Sequence, residues 1–365
     1  MSLILDGSNG ITFPNSSTQA VGFYGFKNRI INGAMVIDQR NAGASVTVGT
    51  TAVYSVDRWQ ALSGGVASKF SIQQNAGSVT LPVGFINYLG CTSLSAYSVN
   101  TGDTFNIRQS VEGLNIADLG WGTANAKTVT LSFQVYSSLT GTFGGSLKNS
   151  DASRTYPFSY TISSANTWTT ISITIVGDTT GTWLTTNGIG ISVNFSIGSG
   201  STYSGTAGSW SSSNYNSATG ATSVVGTNGA TFYITGVQLE AGSTATSFDY
   251  RPYGTELVLC QRYFVSYGGV SIYEAIATGV SDGANSVSFP ISTPVPFRSS
   301  PSVSGNNLRI VGATGISVSS VAINQNASQN VAFILANATG ATAGSAYYLG
   351  ANNSTAMRLQ LSAEL

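Results

Sequence analysis

In the stretch QLEAGSTATSFDYRP (238–252), Glu240, Asp249 and Arg251 fall close together, although only 8% of the 365 residues are Asp, Glu, Lys or Arg. Carboxylates and a guanidinium at such spacing either build a site or fasten chain segments by charge-assisted hydrogen bonds. The surrounding pattern reads as a strand leaving TFYITGV (231–237) through Gln238-Leu239-Glu240 and turning at Ala241-Gly242-Ser243. It returns as Thr246–Tyr250 and stops at Pro252.

What catalysis the rest of the chain permits is narrow. There is no histidine, so Ser-His-Asp and Cys-His nucleophilic arrangements are excluded. Cys91 and Cys260 lie far apart, without CxxC spacing, and a zinc site lacks candidate ligands. Both are expected to be buried free thiols, since cytosolic assembly disfavours a disulfide. A carboxylate pair of the glycoside-hydrolase kind is the enzymatic alternative. The 14 acidic residues are scattered with no spacing that marks such a pair, so the chain is expected not to be an enzyme and to need no cofactor.

One loop has the composition of a recognition surface. Residues 198–228, GSGSTYSGTAGSWSSSNYNSATGATSVVGTN, set Tyr203, Trp210 and Tyr215 among Ser, Gly and Asn. Such a mixture suits binding loops, and a loop of this length in a compact domain is usually functional or mobile. These three rings are the candidate glycan-stacking residues; the alternative is that they pack onto the sandwich or a neighbouring subunit.

The elements that must position these residues are strands. Val, Ile, Thr, Tyr and Phe recur in short runs broken by Gly (43 in all), Asn and Ser, an all-β texture. In TVTLSFQVY, Val129, Leu131, Phe133 and Val135 share a face; in TTISITIV, Ile171, Ile173 and Ile175 do. Further strands are expected at Gly33–Ile37, Val53–Gln60, Lys69–Gln74, Phe105–Val111, Phe158–Ile162, Ile189–Phe195 and Ala230–Leu239. That count predicts an antiparallel jelly-roll sandwich over 27–253. Residues 1–26 form an N-terminal strand segment too small for its own core, which must lie against a neighbouring subunit or a larger assembly. ELVLCQRYFVSY, within a connector over 254–267, predicts a short helix or a bridging strand. Residues 268–365 form a smaller C-terminal β-sandwich. Net charge is zero, so nucleic acid is not an expected partner and attachment should depend little on salt. No run approaches a membrane span, and MSLILDGSNG lacks the basic start of a signal peptide.

Three passages carry a family resemblance. KNRIINGAMVIDQRNAGASVTVGTTAVYSVDRW (27–59), TGVQLEAGSTATSFDYRPYGTELVLCQRYF (235–264) and LQLSAEL (359–365) resemble phage virion proteins of the tail-fibre class, particularly those with a carbohydrate-binding-module-like jelly roll. GITFPNSSTQAV (10–21) is similar to their N-terminal segments. The resemblance implies a homotrimeric virion protein, assembled in the host cytoplasm, docked on other virion proteins through its N-terminal segment. Its partner at the other end would be a bacterial surface glycan or protein. A capsid-attached head fibre, a decoration protein and a polysaccharide-degrading spike are the alternatives.

The family places the first two motifs at the two ends of one jelly roll. Asn32–Arg40 and Thr235–Tyr250 should then run side by side, gathering Asp38, Arg40, Asp57, Arg58, Glu240, Asp249 and Arg251 at one rim as a strand-closing cluster. Ion pairing is the expected use of that cluster. A calcium site from Asp38, Asp57, Glu240 or Asp249 is the competing use, opposed by the three arginines.

Overall fold

A computed structural model describes residues 26–324 and 327–365, together with the backbone of Ile4–Asp6, Gly10–Thr12 and Thr18–Gln19, which pair as a small antiparallel sheet. The docking role expected of residues 1–26 otherwise lies outside the described residues.

The expected alternation builds the main sandwich. One six-stranded sheet runs in the order Thr169–Ile175, Val129–Ser137, Thr231–Ala241, Leu89–Ser93, Phe70–Gln74, Val46–Thr47. The other runs Thr155–Ile162, Gly141–Lys148, Ile189–Ser199, Thr104–Glu112, Gln60–Gly64, Val53–Tyr54. All pairings within the two sheets are antiparallel. Val129, Leu131, Phe133 and Val135 from the first sheet meet Phe105, Ile107, Val193 and Phe195 from the second in one continuous core. Phe133 meets Phe195 edge-on at 5.0 Å, an arrangement aromatic quadrupoles favour.

In Thr231–Ala241 the inward parity changes, from Phe232 and Ile234 to Val237 and Leu239. A one-residue bulge absorbs the change, visible as a register shift against Ser132–Gln134. Gly236 sits there with φ +60°, and a Cβ on it would meet the Phe85 ring at 2.6 Å.

Two expected strands are absent, and a third, Val53–Gln60, is broken by a turn between Tyr54 and Gln60, where Arg58 takes φ +71°. Gly33–Ile37 is a turn, with Asn32 and Met35 both at φ +57°. Its ladder is replaced by the Asn32 side chain, whose Nδ2 donates to Ile37 O (2.8 Å) and Asp57 O (2.9 Å). The segment still runs beside Thr231–Ala241, through Arg29 N to Leu239 O and Val237 N to Gly33 O, both 2.9 Å. The return strand Thr246–Tyr250 is instead irregular chain held by side chains.

ELVLCQRYFVSY makes both alternatives in succession: a helix, Tyr253–Gln261, then a strand, Phe264–Tyr267. The C-terminal part packs a three-stranded sheet (Phe264–Tyr267, Arg358–Ser362, Ser302–Asn306) and a seven-stranded sheet around a separate core centred on Phe289, Phe297, Ile310 and Leu349. A small third core of Ile31, Ile37, Cys260 and Tyr263 joins the two parts. Cys91 and Cys260 are both free and buried.

Candidate functional site

Six of the seven charged residues singled out in the sequence divide into two fasteners, and the seventh, Asp38, bonds only its own turn. In the first, Glu240 accepts from Thr246 N (2.8 Å) and Thr246 Oγ1 (2.7 Å), bracing the turn. Asp249 Oδ2 accepts from Lys27 N (3.0 Å) and Asn28 N (3.2 Å). Arg251 donates to the carbonyls of Asn28 and Ile30 and pairs with Glu256 at 3.3 Å. QLEAGSTATSFDYRP therefore grips the start of the jelly roll, residues 27–30.

The second fastener lies where the two parts of the chain meet. Arg40 and Arg58 both pair with Glu364, near the end of LQLSAEL. Arg40 also pairs with Asp57 (3.3 Å) and lies 3.5 Å over the Phe264 ring; Arg58 lies 3.6 Å over Tyr263. Burial pushes the Asp57 carboxyl up to about 6, against the lowering pull of Arg40 and of the Gln39 hydrogen bond. Asp38 stays local, capping its own turn by accepting from Arg40 N (3.0 Å), Asn41 N (2.8 Å) and Gly43 N (2.6 Å). CQRYF supplies the rest: Arg262 Nη2 and Tyr263 OH both reach Glu112 at 2.6 Å. Burial alone would raise the Glu112 carboxyl, but these two hydrogen bonds, together with the charges of Arg262 and Arg298, hold it below the usual range. Asp57 and Asp249 stand beside arginines, whereas Asp38 and Glu240 accept from backbone N–H groups and make no ion pair among the described residues. Among the described residues no group of three acids, cysteines or histidines stands close enough to hold a metal ion.

The aromatic loop also divides. Trp210 is boxed by Trp121 and Trp183, each at 5.4 Å, and Tyr156 at 5.2 Å, while its Nε1 donates to Val176 O at 2.8 Å. It packs against the sandwich core, so the ring closes the end of the sandwich rather than standing free for a ligand. Trp210→Ala is expected to destabilise the chain by about 2–3 kcal/mol, toward the lower end for large-to-small aromatic changes because the ring is only partly buried. Urea denaturation measures it; a change below about 0.5 kcal/mol would mean the box contributes nothing. Tyr215 lies against Gly205, where a Cβ would meet its ring at 2.3 Å. Of the three, Tyr203 lines a groove on the second sheet.

That groove, of about 330 Å³, crosses the outer face of the second sheet. Its floor comes from the polar half of the strand alternation: Thr104, Asn106 and Arg108 on one strand, Ser192 and Asn194 on the next, Lys148 on the third. The register lays Gln60, Arg108, Asn194 and Ser146 in one row across four strands, and Ser110, Ser192 and Lys148 in another. Asn149, Ser150 and Ala152 form one wall; Tyr203, Asn214 and Asn216 form the other.

Hydrogen-bond chemistry orients this floor. Lys148 has only donors, so Asn214 Oδ1 (2.7 Å) and Asn216 Oδ1 must face it. Asn216 Nδ2 then donates to Thr104 Oγ1 (3.0 Å), and Thr104 Oγ1 to Asn106 Oδ1 (3.1 Å). The relay leaves the Asn106 amide N–H groups without a partner among the described residues. Lys148 itself is buried. Desolvation, with Arg108 adding like-charge repulsion, pulls its ammonium down to about 7. A charged group shifted by burial within a groove is a candidate functional residue. None of Asn106, Arg108, Lys148, Asn194, Asn214 or Asn216 was singled out in the sequence. The available signal was the alternation in TFNIRQSVE and ISVNFSIGS, whose outward positions carry Asn and Arg rather than only Ser and Thr.

No family model matches the chain, and no curated protein does. Similar solved structures include the enzymatically active domain of bacteriophage CBA120 tailspike protein 4, at 12% identity and TM-score 0.32. That alignment spans 59% of this chain and only 21% of the tailspike domain. A CBM4 module aligns at 14% identity and TM-score 0.27 over 58% of this chain and 98% of the module. The Family 11 carbohydrate-binding module of a cellulosomal cellulase of Clostridium thermocellum aligns at 14% and 0.27, over 56% and 99%. At these scores none of the three transfers a role to this chain.

Proposed function

We propose that this chain is a glycan-binding protein of a phage particle, a homotrimeric tail fibre that holds the host surface without chemistry of its own. The observation that carries the reading is the groove: a sheet face of ordered amides and hydroxyls, with Tyr203 on its wall. Amides positioned by neighbours, beside one aromatic ring, are what polyhydroxylated rings need, since each hydroxyl both donates and accepts. Among the described residues the lining contains no carboxylate, which favours binding over a hydrolytic pair. Shallow sites of this kind are weak singly; three per fibre and several fibres per particle supply the avidity. The phage assignment comes from the tail-fibre resemblance of the three motifs.

Arrayed bacterial surface polysaccharides test the reading. The full chain is expected to bind at least one. Asn106→Ala and Tyr203→Ala should each weaken that binding by about 10-fold or more, as loss of one buried hydrogen bond or one stacking face predicts. Their thermal melts should stay within a few degrees of wild type. Binding unaffected by both substitutions would remove the groove from the argument. Gold-labelled antibody bound to the capsid instead of the tail would replace the tail fibre with a head fibre or decoration protein.

A further inference from the structure

The groove is unbalanced in a way that a neutral sugar would not use. Arg108 and Lys148 are its two cations, and neither pairs with a carboxylate among the described residues. In this chain of zero net charge Arg40, Arg58 and Arg251 are answered by Asp or Glu. Arg108, like the half-buried Arg298, Arg309 and Arg358, has no carboxylate partner among the described residues; the groove differs in gathering two such cations in one place. The nearest acid in sequence, Asp151 on the wall loop, is exposed and accepts from Ser153 N (3.1 Å) and Ser153 Oγ (2.7 Å).

The donors that remain make the same point. Arg108 uses Nε on Gln60 Oε1 (2.5 Å) and leaves both terminal nitrogens without a partner among the described residues. Lys148 has three N–H groups and two acceptors. The amide nitrogens of Asn106 and of the exposed Asn214 have no partner among the described residues either. Against these, Asn194 Oδ1 is the one side-chain amide oxygen of the floor left over among the described residues. A hydroxyl offers one donor for each donor it consumes, whereas an anionic oxygen only accepts and is bound more strongly. Lys148 is moreover the kind of buried, unpaired charge that destabilises a fold unless something binds it.

We propose that the groove takes an acidic saccharide, and that Arg108 and Lys148 together hold its anionic substituent. This rests on the reading of the groove as a glycan site and narrows it. The anion is a carboxylate or a phosphate on the sugar; the two share the chemistry, and the experiment separates them.

The full chain is assayed on an array of bacterial surface polysaccharides, each acidic one printed in three forms: native, with its uronates reduced to neutral hexoses, and with its phosphates removed by aqueous hydrofluoric acid. The expected result is binding to an acidic polysaccharide that falls at least 10-fold in one of the two neutralised forms, which identifies the anion. Lys148→Met and Arg108→Gln should each lose the same binding by at least 10-fold while retaining the circular-dichroism spectrum of the wild type. Equal binding to native and neutralised forms overturns the proposal and leaves the glycan reading standing. Binding to acidic forms that both variants retain also overturns it, because the anion then sits elsewhere. Binding to no polysaccharide overturns the proposal and the glycan reading together.

Discussion

Glu364→Ala is expected to cost about 3–5 kcal/mol of stability, the usual penalty for stranding a buried charge by removing its partner. Two guanidiniums lose their partner at once: Arg58, whose side chain is 2% exposed, and Arg40, 11% exposed. Neither can swing into water, because Tyr263 and Phe264 lie against them at 3.6 and 3.5 Å. Arg58 keeps Ser110 O at 2.6 Å and Arg40 keeps Asp57 at 3.3 Å, which moderates the loss. Urea denaturation followed by tryptophan fluorescence measures it, since Trp59 lies buried in the adjoining core. A loss below about 1 kcal/mol would mean that water replaces the carboxylate freely, as at an exposed pair. Neutralising the whole network, Arg40→Met, Asp57→Asn, Arg58→Met and Glu364→Leu, should recover much of the loss. Uncharged side chains of similar volume often equal a buried ion network, and Asp57 would otherwise be stranded without Arg40.

How much of this was legible in the chain depends on which periodicity carried the signal. Strand alternation placed the sandwich, because Val129, Leu131, Phe133 and Val135 can be buried together only on one face of a strand. It failed at Asn32–Ile37, where side-chain amides replaced the ladder and let non-glycine residues take positive φ. Side-chain identity pointed to the fastener at 238–252 because Glu240, Asp249 and Arg251 stand close together in the text, although Asp249 and Arg251 act on residues 27–30, more than 220 residues away. Glu364 and Glu112 escaped notice because each meets its arginines across 150 residues or more of chain, and an isolated acid has no spacing to read. The groove escaped for a related reason. Arg108 and Lys148 lie on strands that become second neighbours only after Ile189–Ser199 inserts between them. Trp210, by contrast, was conspicuous in the text and is used for packing.

Lys148→Met should make the protein more stable, by about 2 kcal/mol near neutral pH. The ammonium stands at about 7 in the fold against 10.5 when exposed. At about 1.4 kcal/mol for each tenfold change in proton affinity, that difference sets a ceiling of several kcal/mol, reduced by the Asn214 and Asn216 hydrogen bonds the variant gives up. The sign follows from linkage: between about 7 and 10.5 the unfolded chain binds the proton that the fold releases, so stability rises with pH there. The penalty is complete below about pH 7 and absent above 10.5. The gain from Lys148→Met should therefore be greatest at pH 6–7 and fade as pH approaches 10. Denaturation of the two proteins side by side across that range reads the difference directly, because their other titrating groups cancel. A variant less stable than wild type at pH 7 would show that the two asparagines fully compensate the buried charge. A gain that grows with pH would assign the effect to a different group. A side chain that weakens its own fold, sits in a groove and meets no opposite charge is better accounted for by what it binds than by what it supports.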